Sequence, residues 1–257
     1  MDKKRIDYDR MWKNSDVQNP AIWPMWEVAK NFNSGKNLEI GPGNRPRIPI
    51  SGAYFLDISS NAIKNLKNAG GIAVVGDITN IPFEDNFFDT VTVIETLEHI
   101  ENDERAFSEI ARVVKPSGLF FFSVPLGMRF YNEVDVIAGH KRRYEIEDLR
   151  KLLARNNFRI LKFRGPSAFV RILYKLGDLF AGKIASHDST KKNTLESFNL
   201  PKAVINLSAR GIALLQKIGT AQWETTPEGF GAYKERWIVI LCQKKAKQKR
   251  VDGAHKE

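Results

Sequence analysis

Leu38-Glu-Ile-Gly-Pro-Gly-Asn44 ends a short apolar run in a glycine turn, and 18 positions after Glu39 a second apolar run, Ala53-Tyr-Phe-Leu-Asp57, closes on a carboxylate. A buried strand that stops in glycines lets the polar atoms of a ligand approach bare backbone. A carboxylate about 20 residues further on, at the tip of the next strand, suits the diol of a ribose. The pair predicts a nucleoside-bearing ligand at one edge of a sheet.

Working outward, the same rhythm repeats. Strands are predicted at Leu38–Gly41, Tyr54–Asp57, Ile72–Gly76, Phe88–Glu95, Leu119–Val124, Phe158–Phe163 and Glu235–Cys242. The fourth carries β-branched Thr90, Val91, Thr92, Val93 and Ile94 in a row. Helices are predicted at Ser59–Ala69, Asp103–Val114 and Ile146–Asn156. In the second, Ala106, Phe107, Ile110, Ala111 and Val114 recur at helical spacing, and Pro116-Ser-Gly118 ends it. Nearly all-apolar strands alternating with helices imply an α/β fold with a mostly parallel sheet covered on both faces.

The flanks differ from this core. Residues 1–36, with Trp12, Trp23 and Trp26 and breaks at Pro20 and Pro24, read as short helices capping the main domain. The core spans 37–164, and a stretch of about 70 residues, 165–234, is too long for a plain connection. Its segments Ala168–Ala185 and Val204–Ile218 have helical apolar stripes. They suit a packed helical insert, a substrate lid, or peripheral membrane contact through 168–218. The last strand, 235–243, precedes a basic tail, 244–257, expected to be disordered or to touch an anionic partner.

The chain has 257 residues and a formal net charge of +10. Six Lys/Arg and two Asp/Glu from Leu241 onward give the tail +4, which leaves a mild +6 on the rest. That excess predicts no specific nucleic-acid partner. The single cysteine, Cys242, sits in an apolar run and excludes a disulfide framework. There is no apolar stretch of secretory-signal type after Met1, and none approaches the ~20 residues that span a bilayer. A cytoplasmic location is expected. The oligomeric state is not readable.

The turn itself discriminates between cofactors. A dinucleotide site wants a third glycine and a helix N-terminus facing pyrophosphate. Here Gly41-Pro-Gly43 is followed by Asn44-Arg45-Pro46. Glu39, two residues before the first glycine, would repel a pyrophosphate but suits the ammonium of an amino-acid moiety. S-adenosylmethionine has an ammonium, a ribose, an adenine and no phosphate. Gly76-Asp77-Ile78 ends the third strand at the same edge, where Asp77 can accept from an adenine amine with Ile78 against the ring.

With these residues in place, the chain resembles the class I S-adenosylmethionine-dependent methyltransferases, in particular the small-molecule group containing the ubiquinone-biosynthesis O-methyltransferases. The resembling motifs are Leu38–Gly43, Leu56-Asp57-Ile58-Ser59, Gly76–Asp89, Val93–Ile100, Glu109–Gly118 and Gly139–Tyr144. The resemblance implies a Rossmann-like seven-stranded sheet with its last strand antiparallel. It implies that Glu39, Gly41 and Gly43 hold the methionine part. Asp57 and Ile58 would lie at the ribose, Asp77 and Ile78 at the adenine, and Ile94 and Glu95 at the sulfonium. The product would be S-adenosylhomocysteine. Arg45 stands where the family often has glycine, so the chain after the turn departs from the pattern, and Arg45 and Arg47 bring cations close to the cofactor.

Methyl transfer needs an aligned, desolvated nucleophile, and a base only where the acceptor carries a proton. Two histidines are candidate catalytic residues. His99 lies in Glu95-Thr-Leu-Glu98-His99, where the resemblance also allows a divalent cation, although a brace for the cofactor loop is favoured and no metal is assigned. His140 lies in Gly139–Tyr144, where the family places substrate. There Arg142, Arg143 and Tyr144 are candidates for gripping an anionic group, and a purely structural loop is the other reading. The acceptor is a small molecule resembling a quinone, lipid or sugar. A nucleic-acid methyltransferase, a non-catalytic cofactor-binding protein and an NAD-dependent enzyme remain alternatives.

Overall fold

The computed structural model describes residues 7–23, 26–31, 35–165, 223–225, 229–230 and 236–246. Seven strands form one sheet: β1 (Asn37–Ile40), β2 (Tyr54–Asp57), β3 (Ile72–Val75), β4 (Phe88–Ile94), β5 (Val114–Pro125), β6 (Phe158–Arg164) and β7 (Trp237–Lys244). Their order is β3-β2-β1-β4-β5-β7-β6. The β1–β2, β2–β3, β1–β4 and β4–β5 pairs are parallel, whereas β7 lies antiparallel between β5 and β6. The strand order reverses between β1 and β4. The crevice beyond the carboxyl ends of such a pair is where open α/β sheets bind ligands.

Among the described residues the α-helices beside the sheet are α1 (Tyr8–Trp12), α2 (Trp26–Ala29), α3 (Ser60–Asn68), α4 (Asp103–Val113), α5 (Glu133–Ala138) and α6 (Ile146–Arg155). Strand alternation sends successive side chains to opposite faces. Phe120, Phe122, Ile238 and Ile240 meet Phe107 and Ile110 of α4 and Leu149 and Leu153 of α6 on one face. Phe121, Phe55 and Val239 meet Ile63 and Leu66 of α3 and Ala29 of α2 on the other. Cys242 is buried in the first of these layers. Both faces are covered, as the apolar strands predict. Burying one such phenylalanine contributes about 2–3 kcal/mol.

Two local departures from expectation have clear causes. No helix links β1 to β2. Pro42, Pro46 and Pro49 each remove a backbone donor within eight residues, so the helical ladder cannot form there. The fifth strand begins at Val114, earlier than Leu119: Phe88 pairs with Val114 and Thr90 with Leu119, and the extra residues between loop out around Ser117 at φ +63°. The predicted helices at 168–185 and 204–218 lie outside the described residues, as do most of the 165–234 insert, His187, His255 and the tail from 247. Among the described residues no helix is long and apolar enough to cross a membrane.

Candidate active site

The glycine turn is built by constraint. Gly41 (φ +71°) donates to the Leu56 carbonyl at 2.8 Å, and Gly43 (φ +55°) donates to Asp57 Oδ2 at 2.8 Å. A Cβ on Gly41 would meet the Thr96 side chain at 2.6 Å, and one on Gly43 the Trp12 ring at 2.3 Å. Only glycine fits either place. Asp57 Oδ1 also accepts from the Ser59 amide at 2.8 Å. Each carboxylate oxygen keeps a lone pair for a ligand hydroxyl. Burial raises the Asp57 carboxyl above its usual range, against the pull of these backbone donors.

Glu39 is tied to the loop that follows the turn. Its carboxylate is 1% exposed and accepts from the Arg47 amide at 3.0 and 2.8 Å and from the Ile48 amide at 3.3 Å. Burial pushes it to about 7, although these donors and the Arg47 charge pull it down. Glu39 therefore braces the loop that follows the turn. Ile78 is 4% exposed and belongs to the core layer under α4. Ile58, just past the tip of β2, is 51% exposed, and Val75, at the tip of the neighbouring β3, is exposed to the same degree. Asp77 is exposed, and its Oδ1 accepts from the Thr79 amide and hydroxyl, both at 2.7 Å.

At the end of β4, Ile94 is buried and Glu95 is exposed with φ +49°. A non-glycine residue held in the left-handed region costs about 1–2 kcal/mol and is often found at functional sites. The Glu95 amide donates to Ser123 Oγ at 3.1 Å, and Thr96 Oγ1 donates to the Ile94 carbonyl at 3.0 Å. A single 3₁₀ turn then presents Leu97–His99.

The loop after α5 folds back onto this turn. The Lys141 amide donates to the Glu98 carbonyl at 2.7 Å, bringing the His99 and His140 rings to 4.8 Å between centroids. His140 Nδ1 lies 2.7 Å from Asp135 Oδ1, and its Nε2 lies 4.0 Å from Glu98 Oε1. Asp135 is 1% exposed. Burial would raise its carboxyl, but Arg143, the Asn132 amide and His140 outweigh burial and hold it low. Burial pushes Glu98 up to about 8 and His99 down to about 4. Glu98 Oε2 has no hydrogen-bond partner. The ligand atoms of Glu98, His99 and His140 lie within 4.8 Å of one another, close enough to share one cation.

Of the two readings of this loop, the contacts of Arg142, Arg143 and Tyr144 are those of a structural loop. Arg142 donates to Asp103 Oδ1 at 2.6 Å and to the carbonyls of Ile100 and Glu101. Arg143 Nε donates to both Asp135 oxygens at 3.0 Å. The Tyr144 hydroxyl is buried and donates to the Leu97 carbonyl at 3.2 Å. All three tie the loop to its neighbours.

The N-terminal segment supplies residues that sequence reading did not single out. Asp9 Oδ1 accepts from the Ser59 and Ser60 hydroxyls and the Asn61 amide, all near 3.0 Å, docking α1 on the start of α3. Asn44 Nδ2 donates to the Trp12 and Ser15 carbonyls at 3.2 and 2.6 Å. This docking places the Tyr8 hydroxyl 3.2 Å from His99 Nδ1. Tyr8 is 91 residues from His99 in sequence, so no local pattern could pair them.

A family model described as a methyltransferase domain matches residues 38–122. A 2-phytyl-1,4-naphtoquinone methyltransferase of Nostoc punctiforme is 31% identical over 121 residues, covering 42% of this chain and 50% of the relative. A ubiquinone/menaquinone biosynthesis C-methyltransferase, UbiE, of Rickettsia prowazekii is 30% identical over 181 residues, covering 64% of this chain and 69% of the relative. The chain thus spans between half and about two thirds of these relatives' lengths. A solved S-adenosylmethionine-dependent methyltransferase from Thermotoga maritima, 17% identical, covers 88% of this chain and 89% of its own with a TM-score of 0.54, a likeness of fold. With its glycine turn, its strand-tip carboxylates and its strand order, the chain belongs to the class I S-adenosylmethionine-dependent methyltransferases.

Proposed function

We propose that this chain transfers the methyl group of S-adenosylmethionine to a ring carbon of a small hydroxyaromatic acceptor of the quinol type. The observation that carries the reading is the Asp135–His140 pair, 2.7 Å apart, beside the Glu98–His99 turn at the end of β4. The names of the two relatives point to quinone-ring acceptors and, in one, to carbon methylation.

The chemistry follows from the pair. Asp135 accepts from His140 Nδ1–H, which leaves Nε2 as the basic nitrogen. His140 Nε2 takes the phenolic proton, and the electron pair moves into the ring. A ring carbon then attacks the methyl carbon in line as the sulfur–methyl bond breaks, releasing S-adenosylhomocysteine. The proton on that ring carbon then leaves to solvent as aromaticity returns, and His140 gives its proton back to the phenolate oxygen this creates. Glu98, kept largely protonated near neutrality by burial, adds no negative charge that would oppose phenolate formation.

In this reading Gly41 and Gly43 cradle the methionine part, Asp57 holds the ribose, and Ile58 and Asp77 flank the adenine. Residues 7–23 cap the crevice, and 37–164 with the last strand carry it. Transfer of a labelled methyl group to a chemically reduced naphthoquinol tests the reading, with the position of the label read by NMR. Label on a ring carbon is the expected result. Label on oxygen alone, or none on any quinol while S-adenosylmethionine binds, would refute it.

A further inference from the structure

Arg47 stands out because of what it lacks. Its backbone is fixed: the amide donates to both oxygens of buried Glu39, and the next amide donates there too. Its guanidinium is half-buried and stacks 5.5 Å over the Trp23 ring. It lies in the fields of Glu39 and Glu95. Yet it donates no side-chain hydrogen bond among the described residues. Arg112, Arg142 and Arg143, by contrast, each have carboxylate or carbonyl acceptors. A guanidinium has five donors, and no Arg47 nitrogen is both buried and unpartnered, so these donors open to solvent and to an incoming ligand. Stacking occupies only the face of the group and leaves its in-plane donors free for a bidentate carboxylate.

The neighbourhood says which carboxylate. In a helix-following turn, the helix N-terminus would offer backbone donors and a positive dipole end to an anionic ligand group. Here the stretch from Gly41 to Ala53 contains no helix, so that source of positive potential is missing from the connection after the glycine turn. Arg47 occupies the same connection. Across the crevice, β1 and β4 are adjacent, with Ile40 opposite Val93, and β4 ends in Glu95 at φ +49°. A cation after β1 and an anion after β4 form a pair of opposite charges of the kind a zwitterionic amino acid requires.

We infer that Arg47 binds the α-carboxylate of the methionine moiety of S-adenosylmethionine, with Glu95 facing its ammonium. This rests on the reading that the cofactor occupies the glycine turn. Glu39 is then the positioning residue that holds Arg47 in place.

Calorimetry with three ligands tests the assignment: S-adenosylhomocysteine, its decarboxylated analogue, and 5′-methylthioadenosine, which lacks the whole amino-acid end. Arg47→Gln is expected to weaken S-adenosylhomocysteine about 10- to 100-fold while leaving the other two within about twofold. Arg47→Lys should recover part of the loss. Retained methylthioadenosine binding shows that the site is folded. Should Arg47→Gln lose even that ligand, Arg47→Lys decides: a loss confined to S-adenosylhomocysteine supports the assignment, and an equal loss on all three overturns it. No loss on any ligand overturns it as well. Failure of the unaltered protein to bind any of the three would refute the cofactor reading beneath it.

Discussion

At the scale of single residues, the site depends on carboxylates whose neighbours decide what they do. Asp57 and Glu39 end adjacent strands, yet one faces the glycine turn and the other the loop behind it. Asp135 has the most specific task, because its buried oxygens hold both His140 and Arg143. Replacing it by Asn removes the acceptor that fixes the His140 tautomer and leaves Arg143 uncompensated. Turnover with saturating S-adenosylmethionine should fall about 100- to 1,000-fold in both Asp135→Asn and His140→Ala. Affinity for S-adenosylhomocysteine should stay within about twofold in His140→Ala, since that ring lies beyond the glycine turn. Full turnover in His140→Ala would rule out the base. The glycines and strand-tip acids were legible in sequence because turn chemistry and strand ends are local. Asp135 was not, since a capping residue of a six-residue helix has no signature that marks it as a histidine partner. The burial of Ile78 was not legible, because the turn at Gly76-Asp77 returns the chain to the core, which no periodicity over two residues can register.

At the scale of elements, the short α1 is held by polar contacts and by one tight fit. It buries no residue fully, so its own helical propensity contributes little. What seats it is Asp9 at the start of α3 and the Trp12 ring lying on Gly43. Gly43→Ala should therefore destabilise by about 2–4 kcal/mol, from overpacking against Trp12 added to a left-handed backbone. In a Trp12→Ala background the clash disappears, and the same change should cost only the backbone part, about 1–2 kcal/mol. Urea midpoints of the four proteins in this cycle check the coupling; strict additivity would show that Trp12 does not rest on Gly43. The cap was foreseeable from the tryptophans and prolines of residues 1–36. Its docking site was not, because the contacts join positions some 30–50 residues apart. The missing helix after β1 is written in three closely spaced prolines. The strand alternation that identified the sheet was a stronger signal and drew attention from them.

At the scale of the whole molecule, the parallel half of the sheet was readable because each strand is apolar throughout and each crossover is a helix or a turn-rich loop. The antiparallel placement of β7 between β5 and β6 came from family resemblance, as nothing in Trp237–Leu241 alone encodes its neighbours. The finished fold keeps an acid, Glu39, almost completely buried at the centre of the sheet, and this should be visible in global stability. Its folded value of about 7 lies above the 4.5 of an unfolded glutamate. Between those values the folded chain binds more protons than the unfolded one, so the stability contributed through Glu39 is greatest below about pH 4.5 and declines as pH rises to about 7. At 1.36 kcal/mol per unit, the decline is on the order of 3 kcal/mol. Glu39→Gln keeps an acceptor for the Arg47 and Ile48 amides but cannot ionise. The difference in unfolding free energy between the two proteins isolates this group, because every other titration is common to both. Measured by urea denaturation at intervals from pH 4.5 to 8, that difference should shift steadily in favour of the variant up to about pH 7 and then level off. A difference that does not change with pH would mean that Glu39 is ionised throughout in the folded protein, stabilised by the Arg47 charge and its backbone donors more strongly than burial opposes it.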